Sequence, residues 1–259
     1  MNNLWRFIPY AEYNGELNMA IDETLLEAHR RNECPPTLRL YGFKPSCITI
    51  GYSQKVDQNY INKFQSYNLA VVKRPTGGRA VLHHQNLTYS FIATADHHML
   101  SGSIVKSYKQ ISQGIINAYE NFGIILETNN NEHTFSKSIN CFDILSRADL
   151  QAKGKKIVGS AQLRRLNSIL QHGSINLYAQ EDLSKIVFNN NAFTADNYNI
   201  FADENSQNIY QTNLIKNLPE IEKAFIKSFS ENFNVTFEIK PLTTVEISAA
   251  NDTSHKYKI

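Results

Sequence analysis

The sequence predicts an α/β protein of the α+β kind, with a mixed, largely antiparallel sheet flanked by helices. Three observations predict it. Short apolar runs come in pairs instead of alternating one for one with helices, which disfavours a doubly wound parallel sheet. Two stretches, Gly15 to Arg31 and Ile104 to Phe122, carry the 3-4 apolar spacing of amphipathic helices that would cover such a sheet. The chain has 259 residues, 42% of them hydrophobic, which suffices for one large core or one core with a small appendage.

In the first helix the apolar positions are Leu17, Ala20, Ile21, Leu25 and Ala28, so it should lie on the sheet. After Pro35-Pro36, Thr37 to Tyr41 and Cys47 to Ile50 read as short strands separated by a turn with Gly42 and Pro45. A strand from Leu69 to Lys73 runs into Arg74-Pro75-Thr76-Gly77-Gly78, and Ala80–His83 with Leu87–Ala93 read as a hairpin. Ile104, Tyr108, Ile111, Ile115, Tyr119 and Phe122 mark the long helix. Ile157–Gln162 and Ile169–Tyr178 form a strand pair joined near Arg164-Arg165-Leu166-Asn167. Pro219 suits a helix first turn, with Ile221, Phe225 and Phe229 facing inward, and Thr243-x-x-Glu246 is a capping box for a last short helix. The polar stretch Asn189 to Asn208 reads as a surface excursion.

Charged residues make up 19% of the chain and the formal net charge is +2, so no single-sign field points to nucleic acid or membrane as the main partner. There is no apolar run of about 18 residues and no signal-peptide pattern at Met1–Arg6, which gives a cytoplasmic expectation. Cys34, Cys47 and Cys141 are odd in number and widely spaced, which disfavours a disulfide framework and a structural zinc site. Of the histidine pairs His83-His84 and His97-His98, neither should chelate one ion, because neighbours on a strand point to opposite faces. We therefore expect no metal.

Three segments can carry chemistry. Gly77-Gly78, after a predicted strand and before Arg79, can bring backbone N–H groups against a ligand, although a glycine pair alone marks an ordinary turn. Lys155-Lys156 opens a strand whose small residues Gly159, Ser160 and Ala161 leave room for a slender ligand, although strand-entry lysines are mostly solvated. Cys141 could be a nucleophile if a cation such as Lys156 lowers its pKa; an isolated cysteine more often packs as a small hydrophobe.

Lys73-Arg74-Pro75-Thr76-Gly77-Gly78-Arg79-Ala80-Val81-Leu82-His83, Gly154-Lys155-Lys156-Ile157-Val158-Gly159-Ser160-Ala161-Gln162 and Gln171-His172-Gly173-Ser174-Ile175 together resemble the biotin/lipoate protein ligase and octanoyltransferase family, in order and spacing. The resemblance covers about Leu4 to Tyr178. Cys141-Phe142-Asp143 before the lysine motif is similar to the octanoyltransferases that act on the glycine-cleavage H protein. His84 departs from the pattern, where an aspartate or small residue is more usual.

The resemblance implies a class II synthetase and biotin ligase type of sheet in a single catalytic domain spanning 1–259, with a family core of about 34–220 and an extension, 220–259, packed on it. It implies Cys141 as nucleophile and Lys156 as the residue that lowers its pKa and binds the acyl carbonyl. Arg74, Gly77, Gly78, Arg79 and His83 would build one side of an acyl tunnel and Gly159, Ser160 and Ala161 the other, with His172 and Gly173 in the same shell. The donor would be octanoyl-acyl carrier protein. The acceptors would be lipoyl-carrier proteins, the glycine-cleavage H protein first and 2-oxoacid dehydrogenase E2 domains second. No cofactor is needed, because exchanging one thioester for another is nearly balanced. Arg147, Lys153, Lys155, Arg164 and Arg165 could form a basic rim for acidic carriers, against the alternative of an ordinary solvated surface. Three other readings stand beside this one: an ATP-dependent lipoate ligase using ATP and magnesium, an amidotransferase between lipoyl domains, and a non-catalytic binder of acylated carriers or biotin.

Overall fold

A computed structural model of the chain describes residues 3–84, 86–128, 149–152, 155–175, 187–188 and 214–259. Eleven strands are found among them: β1 (Leu4–Tyr13), β2 (Thr37–Phe43), β3 (Cys47–Ile50), β4 (Ala70–Lys73), β5 (Val81–His83), β6 (Leu87–Thr94), β7 (Glu127–Thr128), β8 (Leu150–Ala152), β9 (Lys155–Arg165), β10 (Ser168–Ile175) and β11 (Thr236–Ile239). The helices are α1 (Gly15–Arg30), α2 (Gln58–Ser66), α3 (Ile104–Glu120), α4 (Leu214–Phe233) and α5 (Thr244–Ser254), followed by a 3-10 turn at His255–Tyr257.

Eight strands form a sheet in the order β11-β1-β2-β6-β10-β9-β8-β7, and three more form a small sheet, β4-β3-β5. In the large sheet β1 runs parallel to both β2 and β11, while β2, β6, β10, β9, β8 and β7 pair antiparallel in succession. In the small sheet β3 is parallel to β4 and antiparallel to β5. The mixed, largely antiparallel architecture is the one the sequence predicts.

Alternate residues of the central strands feed two cores. Trp5, Phe7, Leu38, Leu40, Tyr89 and Phe91 face α3 and α4, where Ile111, Ile115, Phe225, Phe229 and Phe233 meet them. Ile8, Tyr41, Ile92 and Leu170 point to the opposite face, against Met19, Ala20, Ile21 and Leu25 of α1 and Ala250 of α5. Cys47 and Val72 of the small sheet join that second core, so α1 lies between the two sheets. Its approach is close: a Cβ on Gly15 would stand 2.6 Å from Val72 Cγ2. The small sheet buries its other face against Ile61 and Phe64 of α2. The C-terminus closes the arrangement, with the Ile259 amide donating to the Val71 carbonyl at 3.3 Å.

The helix starts follow their caps: Asn14 accepts from the Leu17 amide, Ser103 from the Lys106 amide, and Thr243 and Glu246 form the predicted capping box. Ile221, Phe225 and Phe229 are buried as expected.

Several local expectations are corrected. Ala80–His83 and Leu87–Ala93 are not a hairpin, because β5 belongs to the small sheet and β6 to the large one. The chain likewise changes sheet between β2 and β3. Pro219 lies inside α4, not in its first turn; it is exposed, and the buried stripe that follows holds the helix despite the lost N–H. His97-His98 sits in a turn after β6, not on a strand, with ring centroids 4.6 Å apart. The stretch Asn189 to Asn208 lies outside the described residues. Among the described residues, no helix is long and apolar enough to cross a membrane.

The contact between α3 and α4 gives a prediction of unusual sign. A Cβ on Gly114 would stand 2.8 to 2.9 Å from the Phe229 ring, which is itself fully buried among Phe91, Phe225 and Phe233. Gly→Ala inside a helix ordinarily stabilises, but here the ring has nowhere to move. Gly114→Ala should lower stability by about 1–3 kcal/mol. Urea unfolding would read this as a lower midpoint at an unchanged m-value.

Candidate active site

The site is a cleft between the two sheets, lined from the small-sheet side by Thr49, Arg74, Gly78, Val81 and His83. Gly159, Ser160, Ala161, His172, Gly173 and Ser174 line it from β9 and β10, and Met19, Tyr41 and Phe43 give it an apolar floor. Together with its open mouth it encloses about 430 Å³.

Arg74 builds the glycine loop that closes one side. Its Nε and Nη2 donate to the Gly77 carbonyl at 3.1 and 2.8 Å, Nη2 to the Arg79 carbonyl at 2.7 Å, and Nη1 to the Thr49 carbonyl at 3.2 Å. A buried arginine is thus spent on backbone carbonyls, and it turns the loop inward. Gly78 has φ +97°, and a Cβ there would stand 2.7 Å from Arg74 Nη2, so glycine is required on two counts. At Gly77 a Cβ would meet nothing within 4 Å.

His83 stacks on Phe43 with ring centroids 3.9 Å apart, its Nε2 2.9 Å from Thr49 Oγ1 and its Nδ1 3.1 Å from Asn86 Nδ2. Burial, and next the Arg74 guanidinium, push its pKa well down, so the ring is neutral. Register does the rest: β10 sets His172 opposite Ala161 and Gly173 opposite Ser160. Gly173 must be glycine because a Cβ would collide with Ser160 Oγ and the Gly159 carbonyl. Ser160 is fixed by Tyr89, whose hydroxyl lies 2.8 Å from its Oγ, and by Tyr108, which donates to its carbonyl at 3.0 Å. Burial lifts the Tyr89 hydroxyl to about 12.

Beneath the cleft lies a buried polar network. Asp22 of α1 accepts from Arg39 Nη1 at 2.8 Å and from the Tyr41 hydroxyl at 2.9 Å, and its Oδ2 is 2.9 Å from His172 Nδ1. The other ring nitrogen of His172 is 2.6 Å from Thr76 Oγ1. Burial alone would raise the Asp22 carboxyl, but the His172 hydrogen bond and the Arg39 charge hold it below the usual range.

Of the residues singled out from the sequence, Arg74, Gly78, His83, Gly159, Ser160, Ala161, His172 and Gly173 meet around this cleft. Gly77, Arg79 and Lys156 are not among its lining residues. Lys156 is buried, its Nζ 2.7 Å from Asp149 Oδ2. Cys141, Arg147 and Lys153 lie outside the described residues, as does the side chain of Lys155.

The other two rim residues are both engaged within the chain. Arg164 donates to the Gly102 and Ser103 carbonyls and to Ser107 Oγ, tying the loop that enters α3. Arg165 pairs with Glu23 and Glu27 of α1 at 2.7 Å each. The Arg165 charge is thus met by two carboxylates, whereas the Arg164 guanidinium is tied only to neutral oxygens.

Sequence reasoning missed the apolar floor and the Asp22 network. The available signal was Asn18 and Asp22, four residues apart within an otherwise apolar helix stripe and both fully buried.

Removing Arg39 should reveal the Asp22 charge. Arg39→Met leaves a buried carboxylate without its counter-charge, costing about 3–5 kcal/mol at neutral pH. The Asp22 pKa is depressed in the folded protein, so its contribution is present above the unfolded value and is lost as pH falls. The deficit should therefore shrink as the pH falls, because in the variant burial without the Arg39 charge favours the protonated carboxyl. Urea melts of both proteins at neutral and acidic pH would test this; an equal deficit at every pH would contradict it.

The model of the lipoyl protein ligase A/B catalytic domain matches residues 14–230. Octanoyltransferase LipM of Halalkalibacterium halodurans is 35% identical over 255 residues, covering 93% of this chain and 91% of the relative. Octanoyltransferase LipM of Clostridioides difficile is 34% identical over 269 residues, covering 99% and 97%. A lipoate-protein ligase A solved with ATP shares the fold at a TM-score of 0.72 and 21% identity, covering 99% of this chain and 95% of the other. The chain thus belongs to the lipoyl protein ligase A/B catalytic-domain family and, within it, with the octanoyltransferases of lipoate biosynthesis.

Proposed function

We propose that this acyltransferase moves an octanoyl group from octanoyl-acyl carrier protein to a lysine of a lipoyl-carrier protein, of the glycine-cleavage H protein type, through a thioester on Cys141. The observation that carries the reading is one cleft, floored by apolar side chains, on which the glycine loop, the Gly159–Ala161 strand and His172-Gly173 converge. A narrow apolar space walled by glycines suits a saturated chain, and no charged ligand is needed to explain it.

In the first half-reaction the Cys141 thiolate adds to the carbonyl carbon of the donor thioester. The C–S bond to the carrier breaks, and the departing sulfur takes a proton equivalent to the one Cys141 gave up. In the second, the neutral amine of the acceptor lysine attacks the Cys141 thioester, the amide forms, the thiolate is released and one proton is lost from nitrogen. Neither step consumes ATP, because the donor is already activated. Both pass through an oxyanion, for which Lys156 and the backbone N–H groups of the glycine loop or of Gly159-Ser160 are the proposed donors. The reaction takes place in the cytoplasm and needs no metal.

Intact mass spectrometry after incubation with octanoyl-acyl carrier protein, without ATP, tests the route. Wild type should gain one hydroxylamine-sensitive octanoyl group and Cys141→Ser none. Lys156→Ala should slow its appearance by about 100-fold or more. Transfer that needs ATP and free octanoate and survives Cys141→Ser would make the chain a ligase.

A further inference from the structure

The Asp22 carboxylate has no part in the two steps above, yet it is joined to the glycine loop through a single ring. His172 spans the distance, with Nδ1 on Asp22 and Nε2 on Thr76. We propose that Asp22, His172 and Thr76 form a positioning chain that fixes the Gly77-Gly78 backbone at the cleft, with Asp22 its anchor. This rests on the acyl-transfer reading of the cleft.

Three features of the geometry point this way. First, both ring nitrogens of His172 are engaged, so it cannot take a proton from a substrate amine while the two bonds stand. Its place in the cleft is therefore that of a brace. Second, the carboxylate end is immobile. Arg39 holds Oδ1, Tyr41 holds Oδ2, and the Asp22 and Arg39 side chains are 0% and 1% exposed. The ring must conform to Asp22, because Asp22 cannot move to meet the ring. Third, the far end is the residue immediately before two glycines. Thr76 is 1% exposed, its carbonyl accepts from the Tyr52 amide at 2.8 Å, and Gly78 follows at φ +97°.

A Gly-Gly step has more conformational freedom than any other pair, so its direction is set by what holds its ends. Arg74 takes the carbonyls of Gly77 and Arg79 on one side. Thr76 supplies the second point, on the side facing β10. Donors for a developing oxyanion act only when held in place beforehand, and a small misplacement is costly in rate.

Thr76→Val removes the hydroxyl at nearly constant shape and Thr76→Ser restores it. The Val variant should lower the single-turnover rate of octanoyl transfer onto Cys141 by about 10- to 100-fold, with the half-saturating donor concentration little changed. Amide hydrogen exchange should speed up in the Gly77–Ala80 segment alone, and the Ser variant should restore rate and exchange. Because Asp22→Asn would strand the Arg39 charge, the second variant is Asp22→Leu with Arg39→Met, expected to shift rate and loop exchange in the same direction as Val. Unchanged rate and loop exchange in Thr76→Val would overturn the chain, as would faster exchange spread over the whole protein. Failure of wild type to take up any octanoyl group would overturn the acyl-transfer reading instead, and loop exchange would still decide whether Thr76 holds the loop.

Discussion

A carboxylate with no exposure to water has to find its compensation inside the protein, and Asp22 finds it on three strands of the large sheet. Arg39 and Tyr41 come from β2, His172 from β10, and the Ser90 hydroxyl of β6 also faces the carboxyl. Since an unpaired buried charge costs several kcal/mol, α1 can pack in only one rotation and one axial position against these strands. Apolar packing of Met19, Ile21 and Leu25 would tolerate a slide that the ion pair does not. The depth of the cleft follows, because Met19 lies three residues before Asp22 and forms part of the floor.

The same constraint reaches the small sheet. α1 touches it through Gly15, where the absence of a side chain lets Val72 and Cys47 close in. From Val72 it is two residues to Arg74, which folds the glycine loop back over the cleft. A second close approach locks that loop from the neighbouring strand, since a Cβ on Gly51 would overlap the Gly78 backbone. The cleft is therefore bounded by backbone on two sides, at the glycine loop and at Gly159 opposite Ser174. Walls of this kind admit a slender chain and resist reshaping by side-chain motion.

Much of this was legible in the sequence where the information is local. The amphipathic stripes of α1 and α3, the β9–β10 pair, the Thr243–Glu246 box and the three motifs around the cleft all carry their signal within about ten residues. The strands β1 and β11 do not. Arg6 is buried where Glu246, 240 positions later, meets it at 2.5 Å. β11 has little burial to mark it and pairs in parallel with β1, across nearly the whole chain. The false hairpin at β5 and β6 has a related cause. A short connection guarantees proximity, whereas pairing depends on which sheet each strand can reach. Asp22 escaped notice for a related reason: its apolar neighbours mark it as buried, but its partners Arg39, Tyr41 and His172 are on β2 and β10, far along the chain.

The Asp149–Lys156 pair changes what is required of Cys141 on the proposed route. A lone lysine would favour a thiolate from several ångströms away, since the energy of a charge falls only as the inverse of distance. A lysine 2.7 Å from a carboxylate presents a dipole, and the field of a dipole falls off more steeply. Each pKa unit of activation needs about 1.4 kcal/mol of preference for the thiolate. From a paired lysine that preference is available only at contact, through a hydrogen bond from Nζ to the sulfur. The carboxylate then has a constructive part: both side chains are about 4% exposed or less, and Asp149 fixes Nζ at one point near the start of β9.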